Sequence, residues 1–506
     1  MRILTKNQSR NIDKISIEKY KISQHSLMIT AANSIVSHIE KYSASINIKP
    51  KLLFISGKGN NGGDSICAAN ILYKKGYDLH LHFLIEKDKI SGPSKIYYEK
   101  YIDLSSHISF GPNLKKIEGY DLLIDGIIGT GFRGVLDNNL VDWIEWINNS
   151  NMYIISIDIP SGLDSDNGLA FPVAINANDT ITFGHSKVGM HLADGKDYCG
   201  NIIVKDIGLY QSALDEIDDI ECELFNDKNI EHILTKIPTN TYKQNRGKVL
   251  IIAGSIGMTG AAVLSTYGAL RAGAGVTITV CPLSLNSIFE KYILEGMTFP
   301  CEDNDNGYLG IDNYDSIMEK VEWADSLVIG PGLGLNKDTI DLISRLINTI
   351  DKPIVLDADG LSCFNKLKEP LDNIVITPHL KEFSRIIKIK KSIIINDFIA
   401  ITKNFIKQFN CVALIKHVPA CIAYNNRLSF NSSGNSGLST AGTGDVLSGM
   451  IASFISQKIN NYDACRLSSF FHGMAADRLL NDKGYRGIIA SDLPLEIARV
   501  IKEYEK

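Results

Sequence analysis

At 506 residues the chain is too long for one core, and its 44% apolar share is enough for two cores of ordinary size. Its 52 lysines and arginines against 57 acids leave a formal charge of −5, which argues against general affinity for nucleic acid or membrane and favours small-molecule partners. Nine scattered cysteines without a C-x-x-C pair suit reduced thiols better than disulfides or zinc, and the polar start MRILTKNQSRNIDK, with no span-length apolar run, reads as a soluble, cytoplasmic chain.

The first strong strand is KLLFIS, followed by GKGNNGGDS and then by SICAANILYKKG, whose apolar residues have helical spacing. Gly57, Gly59 and Gly62 fit the G-x-G-x-x-G of a dinucleotide-binding loop, and the strand YDLHLHFLI leads to Glu86, roughly where an acid that holds a ribose would sit. A hydride-transfer site mainly needs bare backbone N–H groups at this point. Here Asn60, Asn61 and Asp64 crowd it with side-chain oxygens, which a cation seeks. Further strands DLLIDGI, YIISIDIP and TITF end in DGIIGTGFRG, DIPSGLDSDNG and TITFGHSKVG, and in an open α/β sheet such strand ends line one crevice. Taken singly, Asp158 and Ser161 read as turn caps, as does Asp125, but their joint occurrence favours a site. Arg133 and Lys187 are each either a phosphate contact or a solvated cation.

Between Gly208 and Gly247 the apolar pattern weakens and acids cluster in DEIDDIECE, which places a boundary near Asp218 to Glu223, between domains 1–218 and 223–506. The strands KVLIIAG, GVTITV, SLVIG, PIVLDA, NIVITP and CVALIK follow, so both halves predict parallel sheets covered by helices, without a repeated motif. The glycine-rich turn of STAGTGDVLSGMIA runs into an apolar helix, so N–H groups of Gly442 to Gly444 can face a phosphate. Asp445 there is either an N-cap or a base beside a transferring phosphoryl group. Asp357 and Asp359 either orient substrate or Mg2+ or cap a strand end.

The set GNNGGD, DxxxGTGxxG, DIPSGLD and TFxxxKxG, from about Ile3 to Leu209, closely resembles the NAD(P)HX epimerase domain. The resemblance implies a Rossmann-like three-layer sandwich and a potassium ion on Asn61, Asp125 and Ser161. It also implies contacts to a hydrated nicotinamide nucleotide from Asn60, Asn61, Gly62, Gly63, Asp64, from Gly129, Thr130, Gly131, Phe132, Arg133, Gly134, Val135, and from Asp158, the candidate catalytic acid/base. Lys58 and Ser65 stand where that family more often has proline and glycine.

KVLIIAGSIGMTGAA, VIGPGLG, DADGL, ITPHLKE, ALIKH and NSGLSTAGTGD, within about Asp227 to Asp492, resemble the NAD(P)HX dehydratase domain, a relative of ribokinase-like kinases. By that resemblance Ala262, Gly332, His379 and the catalytic Asp445 face the hydrated nucleotide. Lys416, His417, Val418, Pro419, Ala420 and Asn435, Ser436, Gly437, Leu438, Ser439, Thr440, Ala441, Gly442, Thr443, Gly444 hold ADP. Taken as a lone residue, His379 reads better as a loop histidine, and His417 replaces a glycine of the family's ALKG-like turn. The implied protein is a bifunctional repair enzyme that epimerises NAD(P)HX and dehydrates its S form with ADP and Mg2+, giving AMP and phosphate, and is expected to be a homo-oligomer. The alternative is a ribokinase-like vitamin-precursor kinase fused to a non-catalytic binding domain.

Overall fold

The computed structural model describes residues 1–100, 107–113, 117–131, 135–217, 219–234, 236–368 and 371–505. They separate into two compact units, Arg2–Cys222 and Glu223–Lys506, with Met1 joined to the second.

The first unit contains β1 (Leu52–Ser56), β2 (Leu79–Phe83), β3 (Ile108–Phe110), β4 (Leu122–Gly126), β5 (Tyr153–Ile157), β6 (Asp179–Phe183) and β7 (Asn201–Lys205), of which all but β3 and β7 are apolar runs read as strands in the sequence. They form one sheet in the order β3-β2-β1-β4-β5-β6-β7, with every neighbouring pair parallel. Alternate residues of β1 face opposite cores. Leu52 and Phe54 pack with Ile35, Ile39 and Leu72, while Leu53 and Ile55 pack with Trp143, Ile144 and Ile147. Burial on both faces explains why the strand is a continuous apolar run rather than an alternating one. The strand order reverses between β1 and β4, so the loops leaving their carboxyl ends open a crevice at a topological switch point.

The second unit contains β8 (Lys248–Ile252), β9 (Val276–Pro282), β10 (Met297–Cys301), β11 (Ser326–Ile329), β12 (Ile354–Leu356), β13 (Ile374–Ile376), β14 (Val412–Ile415), β15 (Cys421–Tyr424) and β16 (Arg427–Asn431). These run β16-β15-β14-β13-β12-β11-β8-β9-β10. Pairing from β10 to β14 is parallel as expected, but β14, β15 and β16 are antiparallel. Asn425 and Asn426 join β15 to β16 with φ values of 43° and 63°. Asparagine tolerates that region, which gives a two-residue hairpin turn.

Across this sheet the helices Thr259–Arg271 and Thr443–Ser456 touch backbone to backbone. A Cβ on Gly449 would lie 1.9 Å from the Ser265 carbonyl oxygen, and one on Gly268 would lie 2.2 Å from that of Val446. Glycine at both places is what allows this close approach. All nine cysteines are free and buried.

Candidate functional site

In the first unit the crevice is built by glycines that let loops touch. A Cβ on Gly62 would meet the Gly57 carbonyl oxygen at 1.9 Å, and one on Gly129 would meet Asn61 Oδ1 at 2.5 Å. Asn60 to Asp64 are not loop, as the sequence suggested, but the opening turns of the helix Asn60–Lys74, with Gly59 as an N-cap that lends no side-chain bond. Asn61 Nδ2 donates to the Ile157 carbonyl at 3.0 Å, which ties this helix to the end of β5.

Asp125, at the end of β4, is wholly buried. Its carboxylate accepts Ser161 Oγ at 2.6 Å, Ser156 Oγ at 2.7 Å, the Ser161 N–H at 2.9 Å and the Ile127 N–H at 3.2 Å. Burial raises its pKa despite the opposing pull of these four bonds. Among the described residues no cationic side chain pairs with it.

Asp158 follows β5 with φ 67°, an uncommon conformation for a non-glycine residue and one often found at functional sites. Its Oδ1 forms an ion pair with the Lys187 ammonium, which also donates to Thr182 Oγ1 at 2.7 Å. Lys187 is buried, so of its two sequence readings the solvated cation is excluded. Asp64 is buried as well, and burial, followed by the charges of Asp158 and Asp13, holds its carboxyl well above the usual range.

In the second unit the N-cap of the helix Thr443–Ser456 is Gly442, and no side chain caps the turn. Asp445 therefore sits inside the first turn and is not the cap. Burial, then the negative charge of Asp357, pushes its carboxyl up to about 7, with Lys416 opposing. Lys416 Nζ donates to Asp357 Oδ1 at 2.9 Å, Ser448 Oγ to Asp357 Oδ2 at 3.0 Å, and the Ala358 N–H to Asp357 Oδ1 at 2.8 Å. Burial works against the Lys416 ammonium, but Asp357 outweighs it and holds the pKa above its ordinary value. Asp357 is thus both the cap of the turn Ala358–Lys366 and the partner of Lys416. Asp359 accepts the Gly334 N–H at 2.9 Å and so anchors the loop that carries Gly332.

A family model described as NAD(P)H-hydrate dehydratase matches residues 249–499, and one described as YjeF-related protein N-terminus matches residues 24–189. The bifunctional NAD(P)H-hydrate repair enzyme of Dictyoglomus turgidum is 32% identical over 99% of this chain and 99% of its own. The chain belongs to the bifunctional NAD(P)H-hydrate repair enzymes. The member of this family from Moorella thermoacetica is 30% identical over 100% of this chain and 98% of its own. A hypothetical protein of Streptococcus mutans, 24% identical with a TM-score of 0.50, covers 56% of this chain and 100% of its own, a likeness of fold alone.

Within this repair-enzyme chain, hydrogen bonds join Asp125 to Ser161 and Asn61 to the end of β5, while Asp158 is bound to Lys187. Phe132, Arg133 and Gly134 lie outside the described residues. Around Asp445 the structure gathers Asp357, Lys416 and Ser448. His379 and Lys416 are bridged backbone neighbours, and His379 Nδ1 accepts the N–H groups of Lys381 and Glu382 at 3.1 and 3.2 Å. His379 is therefore a helix cap, and its Nε2 lies 3.5 Å from Glu382 Oε1. Ala262 is fully buried, close to Gly254. His417 packs edge-on against Phe398 at 5.0 Å, and burial lowers its pKa to about 4, which keeps it neutral. Asn435 is held by Asp477, its Nδ2 donating at 2.8 Å. Sequence reasoning missed Asp13, Ser448 and Asp477. The burial of Lys187 was foreshadowed only by its apolar neighbours Val188 and Met190.

Proposed function

We propose that the first unit interconverts the R and S forms of NAD(P)HX and that the second dehydrates the S form to NAD(P)H, with ADP becoming AMP and phosphate. The observation that carries this reading is the presence in one chain of two separate carboxylate sites of opposite design. Asp158 is fixed by a buried ammonium, whereas Asp445 stands beside an uncapped helix N-terminus with its carboxyl near 7. The first arrangement holds the carboxylate in a fixed position beside a counter-charge. The second suits a base that works at neutral pH next to phosphate.

In the dehydratase site Asp445 takes the proton of the substrate hydroxyl as its oxygen attacks the terminal phosphoryl group of ADP. N–H groups at Thr443 and Gly444 face the developing charge, and the Lys416 ammonium adds to the field. The phosphate then leaves, pushed out by the ring nitrogen, and the iminium so formed loses a proton from the neighbouring ring carbon, whose C–H pair becomes the C=C bond of NAD(P)H. Residues 416–420 and 435–444 are the proposed ADP contacts, with Gly332 and His379 on the substrate side. Mg2+ would enter with the phosphates, because both oxygens of Asp357 are already engaged and Asp359 Oδ2 already serves Gly334.

In the epimerase site Asn61, Asp125 and Ser161 offer hard oxygen ligands around a buried carboxylate that has no cationic partner among the described residues, which fits a monovalent cation such as potassium. A cation there would supply the missing positive charge. The test is incubation of mixed NADHX epimers with ADP and Mg2+, following NADH absorbance. Recovery of both epimers supports the reading. Phosphorylation of a vitamin precursor without NADH recovery would support the kinase alternative instead.

A further inference from the structure

The epimerase crevice holds more ionisable groups than one acid/base residue requires. Three carboxyls from three elements act on one another, Asp13 from the helix Lys6–Glu18, Asp64 from the helix Asn60–Lys74 and Asp158 after β5, and the one ammonium, Lys187 after β6, is paired with Asp158 and acts on Asp13. Their situations differ. Asp158 is tied to Lys187 and Thr182. Asp64 is 7% exposed and, among the described residues, receives no hydrogen bond or counter-charge. An ionised carboxylate in that state would be strongly disfavoured, whereas a protonated one is a proton donor awaiting an acceptor.

We propose that Asp64 is a second catalytic residue of the epimerase site, giving a proton to the substrate's ring nitrogen while Asp158 takes one from its hydroxyl. The proposal rests on the epimerase reading above. In NAD(P)HX one carbon carries both the hydroxyl and the ring nitrogen. Asp158 removes the hydroxyl proton, the O–H electron pair becomes the second bond of a carbonyl, and the C–N bond breaks. The released pair on nitrogen takes the Asp64 proton. Rotation of the aldehyde presents its other face, nitrogen adds again, and each carboxyl recovers its original state. No atom is gained or lost, and only the configuration changes.

Burial first, and then the charges of Asp158 and Asp13, favour the protonated form of Asp64. Asp13 keeps solvent contact, but desolvation beside Lys187, which opposes it, and Asp158, which adds to it, raises its carboxyl to about 6. The epimerase rate should therefore have an alkaline limb set by ionisation of Asp64.

The test uses the full-length chain with Asp64→Asn and Asp64→Glu. R-NADHX with ADP and Mg2+ reports epimerisation through NADH recovery, and S-NADHX reports dehydration alone. For Asp64→Asn the epimerase kcat should fall by about a hundredfold or more with KM little changed, and the alkaline limb should vanish. Dehydration of S-NADHX should be unaffected, and Asp64→Glu should restore part of the rate. At neutral pH the infrared difference between parent and Asp64→Asn should contain a protonated-carboxyl band. A near-parental kcat in Asp64→Asn, a change confined to KM with the limb intact, or absence of that band would overturn the proposal. If the parent fails to convert R-NADHX while dehydrating the S form, the epimerase reading itself falls, and Asp64 with it.

Discussion

Asp445 and Lys187 show how burial turns ordinary residues into chemical ones. A carboxyl near 7 is half-protonated at neutral pH, so ADP-dependent dehydration should rise with pH through about 7 and level off above it. The linkage to stability has the opposite sense. The folded chain holds this proton more tightly than an unfolded carboxyl near ~4, so the Asp445 contribution to stability falls as pH rises from about 4 to about 7. In Asp445→Asn that slope should disappear from thermal melts, while dehydration drops by about a hundredfold to ten-thousandfold. For Lys187→Met the logic is that of a broken buried pair, in which Asp158 loses its counter-charge. A loss of about 3 kcal/mol in stability is expected from denaturant unfolding, together with impaired epimerisation. A shift within about 0.5 kcal/mol would instead assign Lys187 a solvent-screened role.

At the scale of elements, close backbone contact places both crevices. The helix carrying Asp445 lies against Thr259–Arg271 through Gly449, and a methyl there would have to fit 1.9 Å from a carbonyl oxygen. Gly449→Ala should therefore destabilise the second unit by about 1–3 kcal/mol, as overpacking does, and reduce dehydration by moving the helix N-terminus. Epimerisation from R to S, read by separating the epimers chromatographically, should be unchanged. Sequence showed these glycine-rich turns and the long apolar strands because both are local demands: backbone approach needs glycine, and double-sided burial needs an apolar run. It did not show β3, only three residues long, nor β7, β10, β15 and β16, nor the reversal of direction at β15, which Asn425 and Asn426 make possible. The partners of the reactive groups were hidden for a related reason. Lys187 lies 29 residues from Asp158, and Ser448 lies 91 from Asp357, so only the fold brings each pair together. Asp445 was legible as a candidate, but its rejection as a cap required the position of Gly442.

For the molecule as a whole, division into two compact units gives each proposed activity its own sheet, core and crevice. The fusion has a chemical rationale, since a dehydratase that accepts one epimer strands the other unless a partner inverts it. Among the described residues no helix is long and apolar enough to cross a membrane, and the acidic balance of the chain fits anionic nucleotides only where local groups such as Lys416 and the helix N-termini reverse the field. The most direct measurement of the central claim is the amplitude and rate of NADH recovery from an equal mixture of NADHX epimers with ADP and Mg2+, compared among the parent, Asp158→Asn and Asp445→Asn. The account predicts rapid recovery of the whole mixture by the parent, rapid recovery of the S share alone by Asp158→Asn, and almost none by Asp445→Asn. Rapid recovery of the whole mixture by either variant would contradict it.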